Sequence, residues 1–94
     1  MNRLLLMAQV AERGSLRYTP AGLPALDLQL QHESDLVHEG QSRRVSVSIK
    51  ALAIGSVVSA VSGLDLGSKA TFEGFLATAR NGRGLLFHIA SVSC

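Results

Sequence analysis

Histidine, serine and cysteine are among the side chains with which this 94-residue chain could perform catalysis or hold a metal. His32, His38 and His88 have none of the spacings that metal ligands use, so each is more simply explained as a structural or surface histidine. No serine lies in the G-x-S-x-G context of a hydrolase nucleophile, and Cys94 has no evident base near it in the sequence. The sequence therefore predicts a protein without catalytic residues, metal or cofactor.

Basic side chains could instead attract phosphate groups. Seven of the nine basic residues are arginines, which bind phosphate through two parallel hydrogen bonds. Residues 1–40 carry three basic and five acidic side chains, whereas residues 41–94 carry six basic and two acidic ones. We therefore expect a basic, nucleic-acid-binding surface supplied mainly by the second half of the chain. For the two arginines of residues 80–84, phosphate binding and simple solubility are equally good explanations.

Aromatic side chains, on which single-stranded nucleic acids stack their bases, are scarce. A stacked base typically contributes ~1–3 kcal/mol, and this chain has only one Tyr and three Phe. Tyr18 lies in a predicted loop and is the candidate for stacking, whereas Phe72 and Phe87 alternate with polar neighbours and are predicted core residues. Phe75 stays open between core and surface. Binding of a single strand is therefore expected to be mainly electrostatic.

Strands of alternating apolar and polar residues are predicted to position these side chains. Leu26, Leu28 and Leu30 alternate with polar residues after Pro24, which suits the start of a strand. Apolar residues at helical spacing, at positions 57, 58, 61 and 64, favour one helix over a further strand. The predicted elements are strands over residues 2–12, 26–33, 41–51, 70–79 and 85–92 and a helix over residues 54–64.

The second and third predicted strands bear most directly on a binding surface. Glu33, Asp35 and Glu39 fall in a polar stretch, which predicts a solvated loop between these strands. The third strand is predicted to present a flat basic face to solvent. Its inner side chains would be Val45, Val47, Ile49 and Ala51, and its outer ones Arg44, Ser46, Ser48 and Lys50.

The order of these elements is typical of one small all-β fold. Five strands with a helix between the third and fourth form an OB-fold, a partly open Greek-key barrel whose outer face commonly binds single-stranded nucleic acid. Residues 1–94 are predicted to be a single such domain, because 94 residues suffice for only one modest core.

Self-association is indicated by the hydropathy of the chain. Charged residues make up only 17% and the mean hydropathy is +0.27, which is high for a small monomer. The first strand has apolar residues on both of its faces, more than one barrel interior can bury. We therefore predict a two-fold dimer whose interface lies at or beside Asn2, Leu4, Leu5, Leu6 and Met7.

Cysteine content and hydropathy also predict where the protein acts. A single cysteine cannot form an internal disulfide and suits a reducing cytoplasm. The first ten residues lack the small-residue cleavage site of a secretory signal. No apolar run approaches the ~20 residues of a membrane span, so a cytoplasmic protein is expected.

Several short motifs, in this order, give the chain a resemblance to a known family. They are Asn2–Leu4, Leu16–Pro24, Gln31–Ser34, Arg43–Arg44, Gly67–Lys69, Thr71–Leu76 and Asn81–Gly82. Over essentially its whole length the chain resembles bacterial single-stranded-DNA-binding proteins, and within them the primosomal replication proteins. No single motif is specific, so the resemblance depends on their order and spacing.

The resemblance implies a non-enzymatic homodimer of OB-folds, formed through the first strand, that binds single-stranded DNA and stimulates the primosomal helicase PriA in replication restart. A general module for single-stranded DNA or RNA is the alternative. Ser46 stands where family members can carry a tryptophan and Glu33 where they can carry a basic residue, which predicts weak DNA binding. The expected nucleic-acid contacts are Arg17, Tyr18, Arg43, Arg44, Ser46, Lys50, Arg80 and Arg83.

Overall fold

The strands and the helix follow one another in the predicted order, with one short strand added. The structure is a computed structural model that describes residues 1–79 and 81–93. The predicted strands correspond to β1, β3, β4, β5 and β6, and the added strand is β2. The elements are β1 (Leu4–Arg13), β2 (Arg17–Tyr18), β3 (Pro24–His38), β4 (Gln41–Ile54), α1 (Val57–Ser62), β5 (Lys69–Thr78) and β6 (Leu85–Ser93).

Strand pairing closes the sheet into a five-stranded barrel. The strands are hydrogen-bonded in the order β1-β5-β6-β4-β3, and β1 also pairs with β3, which completes the ring. Every pairing is antiparallel except β4 with β6, which is parallel. This arrangement confirms the predicted OB-fold, with α1 between the third and fourth barrel strands.

The core fills the inside of this barrel. Phe72, Phe87 and Leu30 are completely buried, which confirms the prediction for both phenylalanines. Gly74 lies in β5 against β6, beside a register shift between residues 73 and 74. A Cβ atom at this position would lie 1.7 Å from the carbonyl oxygen of His88. Only glycine therefore fits this β-bulge, which bends the sheet toward closure.

The apolar residues of strand β1 lie on both of its faces. Leu4 and Leu6 pack against the core, whereas Leu5 and Met7 point outward and are 62% and 61% exposed. One backbone edge pairs with β5 from Leu4 to Gln9, but the other edge pairs with β3 only from Gln9 onward. Among the described residues, the first half of β1 therefore has an unpaired edge and an exposed apolar face.

The acidic stretch between β3 and β4 is a strand and not the predicted loop. Glu33 and Asp35 lie within β3, and only Glu39 and Gly40 form the turn. Both turn residues have positive φ, 54° and 74°, as in the two-residue turns that match the twist of a hairpin. Residues 32–47 form a two-stranded ribbon, here named the arm, that extends beyond the barrel and contributes to a longest dimension of 50 Å.

The prediction for the inner face of β4 is correct only within the barrel. Ala51 is buried and Ile49 packs half-buried against the core, but in the arm Val45 is only half-buried and Val47 is exposed. The helix is also shorter than predicted, because β4 continues to Ile54. Val58 and Val61 are its buried residues, and Gly63 follows its last turn as the C-cap. Within the described residues, no helix is long and apolar enough to cross a membrane.

Candidate nucleic-acid interface

Uncharged polar side chains form a row on the outer face where β3 pairs with β4. Cross-strand register places Gln29 opposite Lys50 and Gln31 opposite Ser48. The Gln29 Nε2 group donates to Ser48 Oγ at 2.6 Å, and Gln31 Nε2 donates to Ser46 Oγ at 3.0 Å. This glutamine–serine row, residues 29, 31, 46 and 48, forms a polar surface that contains no aromatic ring.

A groove of about 600 Å³ lies beside this row, between β4 and the turn that joins β5 to β6. Among its described lining residues, Lys50 and Arg83 are charged and none is a carboxylate. The Arg83 backbone N–H donates to Asn81 Oδ1 at 2.9 Å, which orders the turn. We name this feature the basic groove. Its other lining residues are Gln29, Val47, Ser48, Ile49, Ala79, Asn81, Gly84 and Leu85.

Sequence reasoning placed Arg80 beside Arg83 in the same turn. Arg80 lies outside the described residues, so its contribution stays a prediction. The structure does bring Lys50 and Arg83 together, although they are 33 positions apart in the sequence. The parallel pairing of Lys50 with Leu86 causes this approach, because it places the start of β6 next to β4.

Arg44 lies in the arm and is surrounded by carboxylates. Its Nη2 donates to Glu33 Oε2 at 2.8 Å, and its Nη1 lies 3.7 Å from Asp35 Oδ1. Both acidic residues precede it on the neighbouring strand β3, with Asp35 directly opposite. The positive charge that the sequence offered for phosphate binding is thus compensated within the arm, and the predicted basic face of β4 is basic only at its Lys50 end.

Arg17 is compensated in the same manner. Its Nε and Nη2 groups donate to the two carboxylate oxygens of Asp27 at 2.9 and 3.2 Å. The hydrogen bond and the negative charge of Asp27 raise the pKa of Arg17 above its ordinary value. Tyr18 follows on the same short strand and is exposed, as a stacking residue must be. Arg17 therefore holds β2 against β3 and offers little free charge.

Arg43 does not share a face with its neighbour Arg44. Successive side chains of a strand point to opposite faces, so Arg43 lies on the side of the arm opposite Arg44, Ser46 and Lys50. It stands opposite Leu36 in the hairpin register and has no ion pair among the described residues. The structure thus separates Arg43 from the basic groove.

Sequence reasoning missed an aromatic pair on the outer face of β5 and β6. The rings of Phe75 and His88 are parallel within 6° and their centroids lie 4.8 Å apart. Phe75 is 44% exposed, so the open question over its position is settled in favour of the surface. The only sequence signal was its place one residue after Gly74, because their pairing depends on a register that the bulge sets.

The other histidine with a defined environment serves the fold. His32 lies at the base of the arm, where its Nδ1 lies 2.6 Å from the Met7 carbonyl oxygen and its Nε2 2.9 Å from Ser34 Oγ. Both ring nitrogens therefore have partners within the chain. Among residues 1–79 and 81–93, no three His, Cys, Asp or Glu side chains are grouped so that they could hold a metal ion.

Comparison with known proteins agrees with the resemblance. A family model described as another single-strand binding protein family matches residues 2–91. Replication restart protein PriB of Bordetella pertussis is 49% identical over 80 residues, which cover 85% of this chain and 75% of that protein. PriB of Neisseria gonorrhoeae is 40% identical over 76 residues, covering 81% of this chain and 75% of the relative.

Solved structures give the same result. PriB from Ralstonia solanacearum superimposes with a TM-score of 0.89 at 34% identity, covering 99% of this chain and 96% of that one. The single-stranded DNA binding protein from Thermus aquaticus has a TM-score of 0.76 at 24% identity and covers 99% of this chain and 49% of its own, a likeness that shows the fold alone. The chain therefore belongs to the PriB family of replication restart proteins, which is built on the OB-fold of single-strand binding proteins.

Proposed function

We propose that this chain is a non-enzymatic accessory protein of replication restart. It binds single-stranded DNA, forms a homodimer and associates with the primosomal helicase PriA, which it stimulates. Membership in the PriB family supports the role in restart, and the names of the relatives are those of binding and restart proteins. Its place of action is the cytoplasm, where bacterial replication forks are.

The basic groove is the observation that most directly supports DNA binding. Lys50 and Arg83 line it with no carboxylate among the other described lining residues, so both can neutralise phosphates of a bound strand. The glutamine–serine row lies beside it and offers amides and hydroxyls to the bases. Because the row has no aromatic ring and Arg17 and Arg44 are already paired, we expect weak, salt-sensitive binding with little base preference.

The unpaired half of β1 supports the homodimer. Two such edges can pair about a two-fold axis, which extends the sheet across both protomers. The outward Leu5 and Met7 would then lie beside the same axis and cover one another's apolar surface. Asn2 contributes indirectly, because its side-chain amide binds both backbone groups of Leu76 and fixes the start of β1 against β5.

Replacing Leu5 by Arg tests the dimer. Leu5 is exposed, so the Leu5→Arg barrel folds while the charge at the axis separates the protomers. Sedimentation velocity is expected to show a dimer for the wild type and a monomer for this variant. Leu16→Arg, at another exposed leucine, serves as the matched control and stays dimeric. A monomeric wild type at micromolar concentration contradicts the proposal.

Direct binding assays test the partners. Fluorescence anisotropy with labelled single-stranded DNA, double-stranded DNA and single-stranded RNA ranks the nucleic acids, and helicase unwinding assays measure the effect on PriA. We expect preference for single-stranded DNA over duplex and faster unwinding when the protein is added. Equal affinity for RNA together with no effect on unwinding would instead support a general single-strand binding module.

A further inference from the structure

Strand β4 has a backbone edge that no other strand covers. One edge of β4 pairs with β3 along its whole length. The other edge pairs with β6 only from Lys50 to Ala53, so among the described residues the stretch from Gln41 to Ile49 has an open edge. The part of this edge nearest the barrel, at Val47, Ser48 and Ile49, lines the basic groove.

The hydrogen-bond pattern shows which backbone groups of β4 point toward the open edge. Gly55 donates its N–H to the Pro24 carbonyl at 2.9 Å, which makes this pair a hydrogen-bonded one. Hydrogen-bonded pairs recur at every second residue of an antiparallel register, so Val47 and Ile49 direct their N–H and C=O groups toward β3. Ser46 and Ser48 therefore direct theirs toward the open edge, where no strand of the described residues pairs with them.

The walls of the groove match an extended peptide with acidic side chains. Val47 and Leu85 give it apolar surface, and Leu85 is 59% exposed. Lys50 and Arg83 supply positive charge, and none of the lining residues that the structure describes is acidic. A groove that combines unpaired strand hydrogen-bonding groups, apolar contacts and one sign of charge is suited to a strand of a partner protein.

We propose that the basic groove receives an extended acidic segment of a partner protein, which adds as a strand to the open edge of β4. The N–H and C=O groups of Ser46 and Ser48 bind the backbone of the segment, and Lys50 and Arg83 bind its carboxylates. This inference deepens the proposed function, since it gives the chemistry by which a protein of the restart assembly is recognised. A bound peptide excludes single-stranded DNA, because both use Lys50 and Arg83.

A synthetic octapeptide of alternating Glu and Val, labelled with fluorescein, tests this mode of binding. Its binding is measured by anisotropy, with competition by unlabelled single-stranded DNA. The same sequence with N-methyl groups on alternate amides keeps its charge but loses backbone donors on one edge, and a second analogue has Lys in place of Glu. We expect N-methylation to weaken binding about tenfold, the effect of one or two lost hydrogen bonds, and the lysine analogue not to bind.

Substitutions at Ser48 test the edge in the protein itself. Ser48→Pro removes one N–H from the open edge, a change that edge positions tolerate. Ser48→Ala is the matched control, because it loses the hydroxyl but keeps the N–H. We expect Ser48→Pro to weaken the acidic peptide about tenfold and Ser48→Ala by less than about twofold. If Ser48→Pro is unfolded by circular dichroism, the N-methylated peptide still decides the question.

Two results would overturn the strand-addition proposal. One is an acidic peptide that does not bind at about 1 mM, and the other is an N-methylated peptide that binds as tightly as its parent. Measuring single-stranded DNA in parallel separates the two proposals. Peptide binding without DNA binding would contradict the DNA-binding part of the proposed function and leave this inference intact. DNA binding without peptide binding would contradict this inference and leave the DNA-binding part of the proposed function intact.

Discussion

On the outer face of strand β4, the arm and the basic groove each carry one cation, Arg44 and Lys50, yet only Lys50 has no carboxylate paired with it among the described residues. Arg44, in the arm, has Glu33 and Asp35 within 2.8 and 3.7 Å. Lys50, six residues further along β4 and within the barrel, faces Gln29 across the strands and shares its groove with Arg83. The neighbours across the sheet, and not the number of basic residues along the chain, therefore decide which cations remain available for phosphate.

Removing the two cations of the basic groove should have the largest effect on the binding of single-stranded DNA. The double variant Lys50→Gln, Arg83→Gln is expected to lower the affinity for single-stranded DNA roughly tenfold at low salt and to reduce the slope of log affinity against log salt by about one to two units. Titrations at several salt concentrations measure both quantities. The double variant Arg3→Gln, Lys69→Gln removes the same formal charge elsewhere and should keep the slope. An unchanged slope in the first variant would place the DNA outside the groove.

Removing the carboxylates that pair with Arg44 should give the arm a free positive charge that can bind DNA. The double variant Glu33→Gln, Asp35→Asn leaves Arg44 unpaired, so we expect roughly fivefold tighter binding of single-stranded DNA and a steeper salt dependence. Adding Arg44→Gln to this variant is the control, and it should cancel most of the gain. A gain that survives the loss of Arg44 would show that general repulsion by the two carboxylates, and not the masking of one arginine, limits binding.

Releasing Arg17 is expected to have a smaller effect. Asp27→Asn removes the partner that raises the pKa of Arg17, and the guanidinium keeps its charge but becomes free to move. We expect about twofold tighter binding of DNA, because only one cation is gained. Hydrogen exchange at β2 should become faster, since Arg17 no longer holds this strand against β3. Weaker DNA binding would mean that Arg17 contacts DNA only from its paired position, and slower exchange would contradict its role in holding β2 against β3.

The smallest effect is expected from Arg44→Gln alone. Its charge is already compensated, so the affinity for single-stranded DNA should fall less than about twofold. Parallel titration of Lys50→Gln gives the comparison within the same strand. A larger loss for Arg44→Gln than for Lys50→Gln would reverse the assignment of free and paired cations.

Most of the fold could be predicted from the sequence because its signals are local. Leu26, Leu28 and Leu30 alternate over a short distance, and each of these residues is buried as predicted. The extension of the two strands into the arm was not predicted, because local sequence alone does not show which residues face each other. Glu33 and Asp35 look like loop residues until Arg44 is known to lie opposite them, and this requires the register of a hairpin.

Much less of the candidate site was predictable, because its contacts join distant parts of the chain. Lys50 and Arg83 were both named from the sequence, but their meeting depends on the parallel pairing of β4 with β6. The stacking of Phe75 on His88 depends on the bulge beside Gly74. Arg17 and Arg44 were predicted to bind DNA because a sequence shows charges without their partners.

The two-residue turn at Glu39 and Gly40 has a consequence for the time course of folding. Because the turn is short, pairing of β3 with β4 can begin between residues that are close in the sequence and proceed outward from the turn. Isolated hairpins form in microseconds. Closure of the barrel, by contrast, must bring β1 to β5 and β4 to β6 across long intervening segments. We therefore expect the arm to be an early structured element, and ring closure to set the rate at which the native protein forms.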